Sequence, residues 1–312
     1  MANPPQFPRF KPIELEDRDF IQELLWRYQP DTSEWTFTNL FIWRSHYGFQ
    51  WSMHRDWLLV VSVAEDNPSY ALQPVGSSPR LEVVRMLLEW LKQEKGEEDP
   101  RMERVDRRMA SELEGAADLS IEPTRDQFDY VYRTEDLMNL AGRKYHSKRN
   151  HVNRFRRSHS FSYAPLTEEH LKECLALTET WCEWHRCEED MNLLDEWEAV
   201  RQALANFTVL KLQGGAIIME GRVEAYALGE LLNDQTALVH IEEANPEIKE
   251  LYAIINQQFC EKSWRDVPYV NREQDLGEPG LRKAKESYYP HRLEEKHRIR
   301  LATADKTDAP PE

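Results

Sequence analysis

Glycine is scarce in this chain, with 11 in 312 residues, and no set of them is spaced as GxGxxG, as the P-loop GxxxxGKS/T or as GxSxG. Dinucleotide-binding, P-loop and nucleophile-elbow chemistries are therefore excluded. Cysteine is nearly as rare. Cys174, Cys182, Cys187 and Cys260 all lie in the second half, too few for a disulfide framework, so reduced thiols are expected. The run Cys182-Glu183-Trp184-His185-Arg186-Cys187 has metal-ligand residue types without the two-residue cysteine spacing of common zinc sites, and no metal is expected. Long apolar runs are missing too: none approaches the ~18 residues of a membrane span. The N-terminus MANPPQFPRF has neither a basic nor an apolar leader region, so a cytoplasmic protein without an integral membrane segment is expected. Basic charge is in deficit, 40 Lys and Arg against 56 Asp and Glu, a net charge of -16. That balance argues against wholesale wrapping of nucleic acid and leaves room only for a local basic patch.

What is present is enough apolar residue, 40% of the chain, to fill two cores rather than one, since single cores stop growing near ~250 residues. Residues 1–9 and 303–312 lack periodicity and read as disordered tails. Between them the chain repeats itself. Phe10, Leu15, Phe20 and Leu24 recur at a constant offset as Phe161, Leu166, Leu171 and Leu175. Each half then continues through a helix, three strands (FQWSMHRD, WLLVVSVAE and YALQPV against GAIIMEG, RVEAYALGELL and TALVHIEEA) and a long helix. A short strand, a helix and a last strand (FDYVYR, RLEEKHRIRLA) close each half. The expected order is β-α-α-β-β-β-α-β-α-β twice: a first domain over 10–140, a basic connecting helix over 141–160 and a second domain over 161–302.

That order resembles the GNAT acyltransferase fold, and the resemblance sharpens in TALVHIEEANPEIKELYAIINQQFCEK and YVNREQDLGEPGLRKAKESYYPHRLEEK. These segments are similar to the C-terminal catalytic region of lysylphosphatidylglycerol synthases and their stand-alone relatives, twin-GNAT proteins related in fold to Fem-type aminoacyltransferases. The resemblance runs from Phe37 to His297. It implies an α+β protein of two tandem GNAT-like domains, each a mixed, mostly antiparallel sheet flanked by helices. The activity implied is transfer of an acyl or aminoacyl group to an amine or hydroxyl. The large membrane region of those synthases is missing from this sequence, which leaves small-molecule, peptide and lipid-headgroup acceptors all open.

Three constellations carry candidate chemistry. The segment from Gly142 to His159 holds Arg143, Lys144, Lys148, Arg149, Arg154, Arg156 and Arg157 without one acid. On a helix Tyr145, Val152 and Phe155 form one stripe and leave most cations outward, a phosphate or tRNA cradle or else a solvated connector. The loop Gln73-Pro74-Val75-Gly76-Ser77-Ser78-Pro79 nearly matches the coenzyme A pyrophosphate loop of GNAT enzymes, and reads equally as an ordinary helix start with a Ser cap and Pro79 behind it. Its second-half counterpart, Glu242-Glu243-Ala244-Asn245-Pro246-Glu247, is acidic and would repel pyrophosphate, so a carrier such as aminoacyl-tRNA is expected in place of a coenzyme A thioester. Glu242, Glu243 and Asp275 would suit a cationic aminoacyl group. The polar run Asn271-Arg272-Glu273-Gln274-Asp275 ends an apolar strand and is either solvated or a satisfied site network. By resemblance Tyr288, on the helix with Arg282, Lys283 and Lys285, protonates the leaving group while Glu242 or Glu243 accepts a proton from the nucleophile. Asn245, Asn271, Arg272, Asp275, Arg282 and Lys283 are the candidate substrate contacts. A coenzyme A-dependent N-acyltransferase and a non-catalytic duplicated binding module are the alternatives.

Overall fold

The computed structural model describes residues 3–64, 67–185 and 191–302. The first half contributes β1 (Lys11–Pro12), α1 (Arg18–Tyr28), α2 (Phe37–Ile42), α3 (Arg44–Tyr47), β2 (Phe49–His54), β3 (Trp57–Ser62), β4 (Tyr70–Ala71), α4 (Leu81–Glu94), β5 (Arg101–Asp106), α5 (Arg107–Leu113), β6 (Leu119–Pro123) and β7 (Asp129–Arg133). The second half contributes α6 (Thr134–Asn139), α7 (His146–Ser158), β8 (Ser162–Pro165), α8 (Glu168–His185), α9 (Met191–Ala205), α10 (Phe207–Leu210), β9 (Gln213–Met219), β10 (Arg222–Leu231) and β11 (Thr236–Ala244). It ends with α11 (Leu251–Ser263), β12 (Tyr269–Asn271), α12 (Pro279–Glu286), β13 (Arg292–Glu294) and β14 (Lys296–Leu301).

Two seven-stranded sheets result, ordered β1-β2-β3-β4-β5-β14-β6 and β13-β7-β12-β11-β10-β9-β8. All neighbours are antiparallel except β4 with β5 and β11 with β12. The first compact unit takes residues 1–13, 44–127 and 295–312, and the second takes 14–43 and 128–294. This corrects the expected division at 141–160. The strand β7, read as the end of the first domain, belongs to the second sheet, and the segment read as one terminal strand breaks at Glu295 into β13 and β14 in different sheets. Alternation shows that a segment is a strand but not which sheet pairs with it. The tail reading of residues 1–9 is also corrected for 3–9: Met53 donates to the Pro5 carbonyl at 2.8 Å, Phe7 to that of Met53 at 2.9 Å, and Phe7 packs edge-on to Phe10 and Trp90.

In the first unit, α4 places Val83, Val84, Leu87, Leu88 and Leu91 on one stripe, and all five are buried against Leu59, Val61, Met102, Val105 and Ile299. In the second unit, α11 covers one face of the sheet with Leu251, Ile254, Ile255 and Phe259 over Ala225, Ala227, Ala237 and Val239. The expected stripe on α7 is confirmed, since Val152, Phe155 and the preceding Tyr145 are buried in that same core. Hence α7 is a structural element of the second unit and not a connector.

Candidate active site at a strand fork

β11 and β12 pair in parallel only from Thr236–Leu238 to Tyr269–Asn271. Beyond Asn271 the chain parts from β11 but stays bonded to β7 through the Arg272 amide and the Glu273 carbonyl at Tyr130, while β11 continues to Ala244, so β11 and β12 diverge into a fork. A bulge tunes the side chains along the longer prong. Leu228 faces Ile241 but Gly229 faces Val239, which leaves His240 as the extra residue on β11. Only glycine fits opposite, because a Cβ at Gly229 would sit 2.4 Å from the Leu238 carbonyl oxygen. Past the bulge, Glu242 turns to the α11 face, where Asn256 donates to it at 3.2 Å, and Glu243 turns to the α8 face. The two acids, read together in the sequence, thus occupy opposite faces of the sheet.

Two ion pairs span the fork. On the α11 face one guanidinium nitrogen of Arg272 reaches both oxygens of Glu242 at 3.0 and 3.1 Å. Burial works against the Arg272 charge, but Glu242 outweighs it, so the guanidinium stays charged. Arg272 lies 5.2 Å from the centroid of the Tyr288 ring and 5.9 Å from that of Tyr132, and the Lys148 ammonium sits 4.0 Å above Tyr288. Burial pushes the Tyr288 hydroxyl up to about 12 despite Arg272. Lys285 Nζ donates to the carbonyls of Arg272 at 2.5 Å and Gln274 at 2.6 Å, fixing the strand end. Its ammonium is lowered to about 8, chiefly by burial and then by Arg272. On the other face His240 links Glu230 at 3.0 Å and Glu273 at 3.1 Å, and Asn39 donates to Glu273 at 3.2 Å. Burial disfavours the imidazolium, yet the two carboxylates raise it to about 9, so His240 is charged at neutral pH. Glu243, by contrast, accepts from Thr178 and Tyr226, each at 2.9 Å, and burial raises it to about 7 against those two bonds.

The remaining sequence candidates divide by what they touch. Asn245 closes the turn after β11, accepting from the Glu247 amide at 3.0 Å and donating to Glu224 at 2.8 Å. Asn271 is buried between Asp129 and the Glu273 amide. Asp275 accepts from Tyr130 at 2.6 Å and from Arg282 at 2.8 Å, which hold its carboxyl well below the usual range although burial opposes them. These residues shape the loop beneath the fork, and Lys283 is exposed on α12. Tyr288 lies just past the end of α12 rather than on the helix, where Tyr145 donates to its carbonyl at 2.9 Å. The picture of a wholly unpaired basic segment is corrected. Lys144 meets Asp136 at 3.6 Å, Arg154 meets Glu250 at 2.9 Å, and Arg149 donates to the carbonyls of Leu140 and Gly142. Arg143 is exposed, and Lys148 alone among the site candidates of α7 turns toward the fork.

Sequence reading missed Glu230, His240, Glu273 and Asn39 as a group. Its available signals were a histidine breaking the apolar run TALVHIEEA and a glycine inside a strand, the usual mark of a bulge. The expectation of reduced thiols holds for the buried Cys174 and Cys260 and is corrected for Cys182, which is disulfide-bonded. Cys187 lies outside the described residues. Among the described residues no cluster of ligands could hold a metal ion, and no helix is long and apolar enough to cross a membrane.

The first-unit loop that would cradle pyrophosphate is occupied by one of the protein's own acids. In the first unit Glu112 accepts from Ser78 Oγ at 2.8 Å, from the Arg80 amide that opens α4, and from the Arg80 side chain at 2.7 Å. The helix begins at Leu81 behind Arg80, so the reading with Ser78 as cap and Pro79 at the first helical position is corrected. The Gln73 amide reaches the end of β5, donating to Asp106 and accepting from its backbone, each at 2.8 Å. In the second unit Glu250 is the N-cap residue of α11, but its carboxylate makes no capping bond and instead accepts from Arg154 at 2.9 Å.

Comparison with known proteins agrees with this architecture. A conserved protein of unknown function from Bacteroides thetaiotaomicron VPI-5482 has 34% identity and a TM-score of 0.87, covering 94% of this chain and 99% of its own. The L-PGS from Bacillus licheniformis has 13% identity and a TM-score of 0.65 over 93% of each chain. FemX follows with 12% identity and a TM-score of 0.58, covering 94% of this chain and 97% of its own. Among curated protein sequences none matches. The fold is the α+β tandem GNAT arrangement. Residues 26–300 match the family model "Phosphatidylglycerol lysyltransferase, C-terminal", and the chain belongs to that acyltransferase family.

Proposed function

We propose that the protein transfers an aminoacyl group from aminoacyl-tRNA to an amine or hydroxyl acceptor at the fork of the second unit. The observation that carries this reading is Glu112, whose carboxylate takes the Arg80 amide at the start of α4, where a coenzyme A-dependent enzyme needs free amides for pyrophosphate. An occupied cradle in the first unit favours a carrier other than coenzyme A. Exposed Arg143, Arg156 and Arg157 offer phosphate contacts beside the fork. In this reading Glu242 takes the proton of the attacking group. Glu230 and Glu273 exceed the single charge of His240 and would favour a cationic aminoacyl group. The family description makes lysyl-tRNA and a glycerol hydroxyl the first donor and acceptor to try.

The test is a transfer assay with labelled aminoacyl-tRNAs against a panel of amine and hydroxyl acceptors, with acetyl-coenzyme A as a parallel donor. Product from aminoacyl-tRNA alone supports the reading. Product from acetyl-coenzyme A, or from neither donor, overturns it.

A further inference from the structure

We propose that Lys148 is the general acid of this site, delivering the proton that the ribose oxygen needs when it leaves the aminoacyl ester. This rests on the aminoacyl-transfer reading and assigns to an α7 lysine the role that resemblance gave to Tyr288.

The geometry separates Lys148 from its neighbours on the helix. Lys144, Arg149, Arg154 and Arg156 each meet an acid, a carbonyl or an amide. Lys148 is half-buried and makes no hydrogen bond or ion pair with any described residue; its ammonium rests on the Tyr288 ring alone. A partly desolvated cation without a counter-ion suits a position that an incoming ligand completes. The charged and titratable groups facing it are Arg272 after β12, Glu242 on β11 and Tyr288 after α12, with the buried Cys260 thiol behind them on α11. Arg272 and Glu242 neutralise each other, so Lys148 brings the unbalanced charge.

Burial first, and then Arg272, lowers the Lys148 ammonium from its ordinary value, making it a better acid than a solvated lysine. The same burial makes Tyr288 a poorer acid than a solvated tyrosine. The Tyr288 ring therefore seats the ammonium, and its hydroxyl is not required to give up a proton.

The step balances without a further reactant. The acceptor's nitrogen or oxygen bonds to the ester carbonyl carbon, and its proton passes to Glu242. The bond from that carbon to the ribose oxygen then breaks, and the oxygen takes a proton from Lys148. Proton return from Glu242 to the Lys148 amine, directly or through water, resets both groups.

The experiment compares Lys148→Arg, Lys148→Ala and Tyr288→Phe by steady-state transfer from aminoacyl-tRNA, with thermal melting to confirm folding. Arginine keeps the charge and the ring contact but holds its proton too tightly to donate. Both Lys148 variants should lose kcat by ~10² or more, while KM for aminoacyl-tRNA in the Arg variant stays within about threefold. Small primary amines should restore Lys148→Ala and not Lys148→Arg. The alkaline limb of the wild-type pH profile, where the ammonium is lost, should vanish in Lys148→Ala. Near-wild-type kcat in Lys148→Arg overturns the acid role and leaves aminoacyl transfer standing. Loss of turnover in Tyr288→Phe with Lys148→Ala unaffected returns the role to the tyrosine. Absence of transfer by the wild-type protein overturns both the acid role and the reading on which it rests.

Discussion

The ion pair between Arg272 and Glu242 supports a quantitative expectation, because its side chains are only 15% and 12% exposed. Charges about 4 Å apart attract by roughly 4 kcal/mol at the effective dielectric of a protein near its surface. Removing one partner of such a pair strands the other, at a cost of about 3–5 kcal/mol. Asn256 and Lys148 partly compensate a stranded Glu242, so Arg272→Met should cost about 3 kcal/mol near neutral pH. The double variant Arg272→Met, Glu242→Gln leaves no stranded charge and should cost less than the sum of the two single changes, by about 2 kcal/mol. Urea unfolding followed by circular dichroism near neutral pH measures all four corners of the cycle. Additivity within about 0.5 kcal/mol would show that the pair is not coupled and would refute the reasoning.

Other outcomes follow from single features. Gly229→Ala should destabilise by about 1–3 kcal/mol, read by thermal melting, because its Cβ meets the Leu238 carbonyl at 2.4 Å; an unchanged Tm would mean that the bulge relaxes freely. Glu243, raised to about 7, binds a proton in the folded state that it loses unfolded near 4.5, so wild-type stability should fall between those values and Glu243→Gln should flatten that slope by up to ~2–3 kcal/mol. Equal slopes would place the titration elsewhere. Coenzyme A should leave Tm unchanged at millimolar concentration, since Glu112 fills the start of α4; a clear rise would reopen the acyl-coenzyme A reading. Reversing the exposed Arg143 and Arg157 to Glu should weaken tRNA binding and reduce its salt slope by about one phosphate contact per residue, measured by filter binding across salt. An unaltered slope would exclude α7 as the tRNA contact.

Much of this architecture was legible because apolar spacing is local. The stripe on α4, the stripe of Tyr145, Val152 and Phe155, and the strand TALVHIEEA were each readable from a dozen residues. The candidate site was legible only in part. Arg272 and Glu242 were singled out separately, but the bulge at His240, which decides the face each acid takes, depends on how β10 registers against β11. Adjacency in sequence put Glu242 and Glu243 together as a pair, although the two-residue side-chain period of a strand turns consecutive residues to opposite faces. Lys148 looked like one more outward cation because helix spacing cannot tell a lysine resting on a ring from one in solvent. Sheet membership was the least visible. β7 has the alternation of any edge or central strand, and nothing in its five residues names Asn271 and Leu293 as its neighbours' residues.

The placement of β14 sets the order in which this polypeptide can finish folding. Residues 296–301 lie between β5 and β6, inside the sheet that the first half of the chain otherwise builds. A nascent chain emerging from the ribosome therefore carries β5 and β6 with the slot between them open until residues 296–301 are made. It meanwhile carries β7, whose partners β12 and β13 are also still to come. Neither unit is a separable module: a fragment stopped at residue 140 has a gap in one sheet and an orphan strand from the other, while one begun at residue 161 lacks β7, α1 and α2. The two halves thus cannot complete their sheets separately, and gene fragments cut at the apparent repeat boundary should yield aggregating rather than active protein.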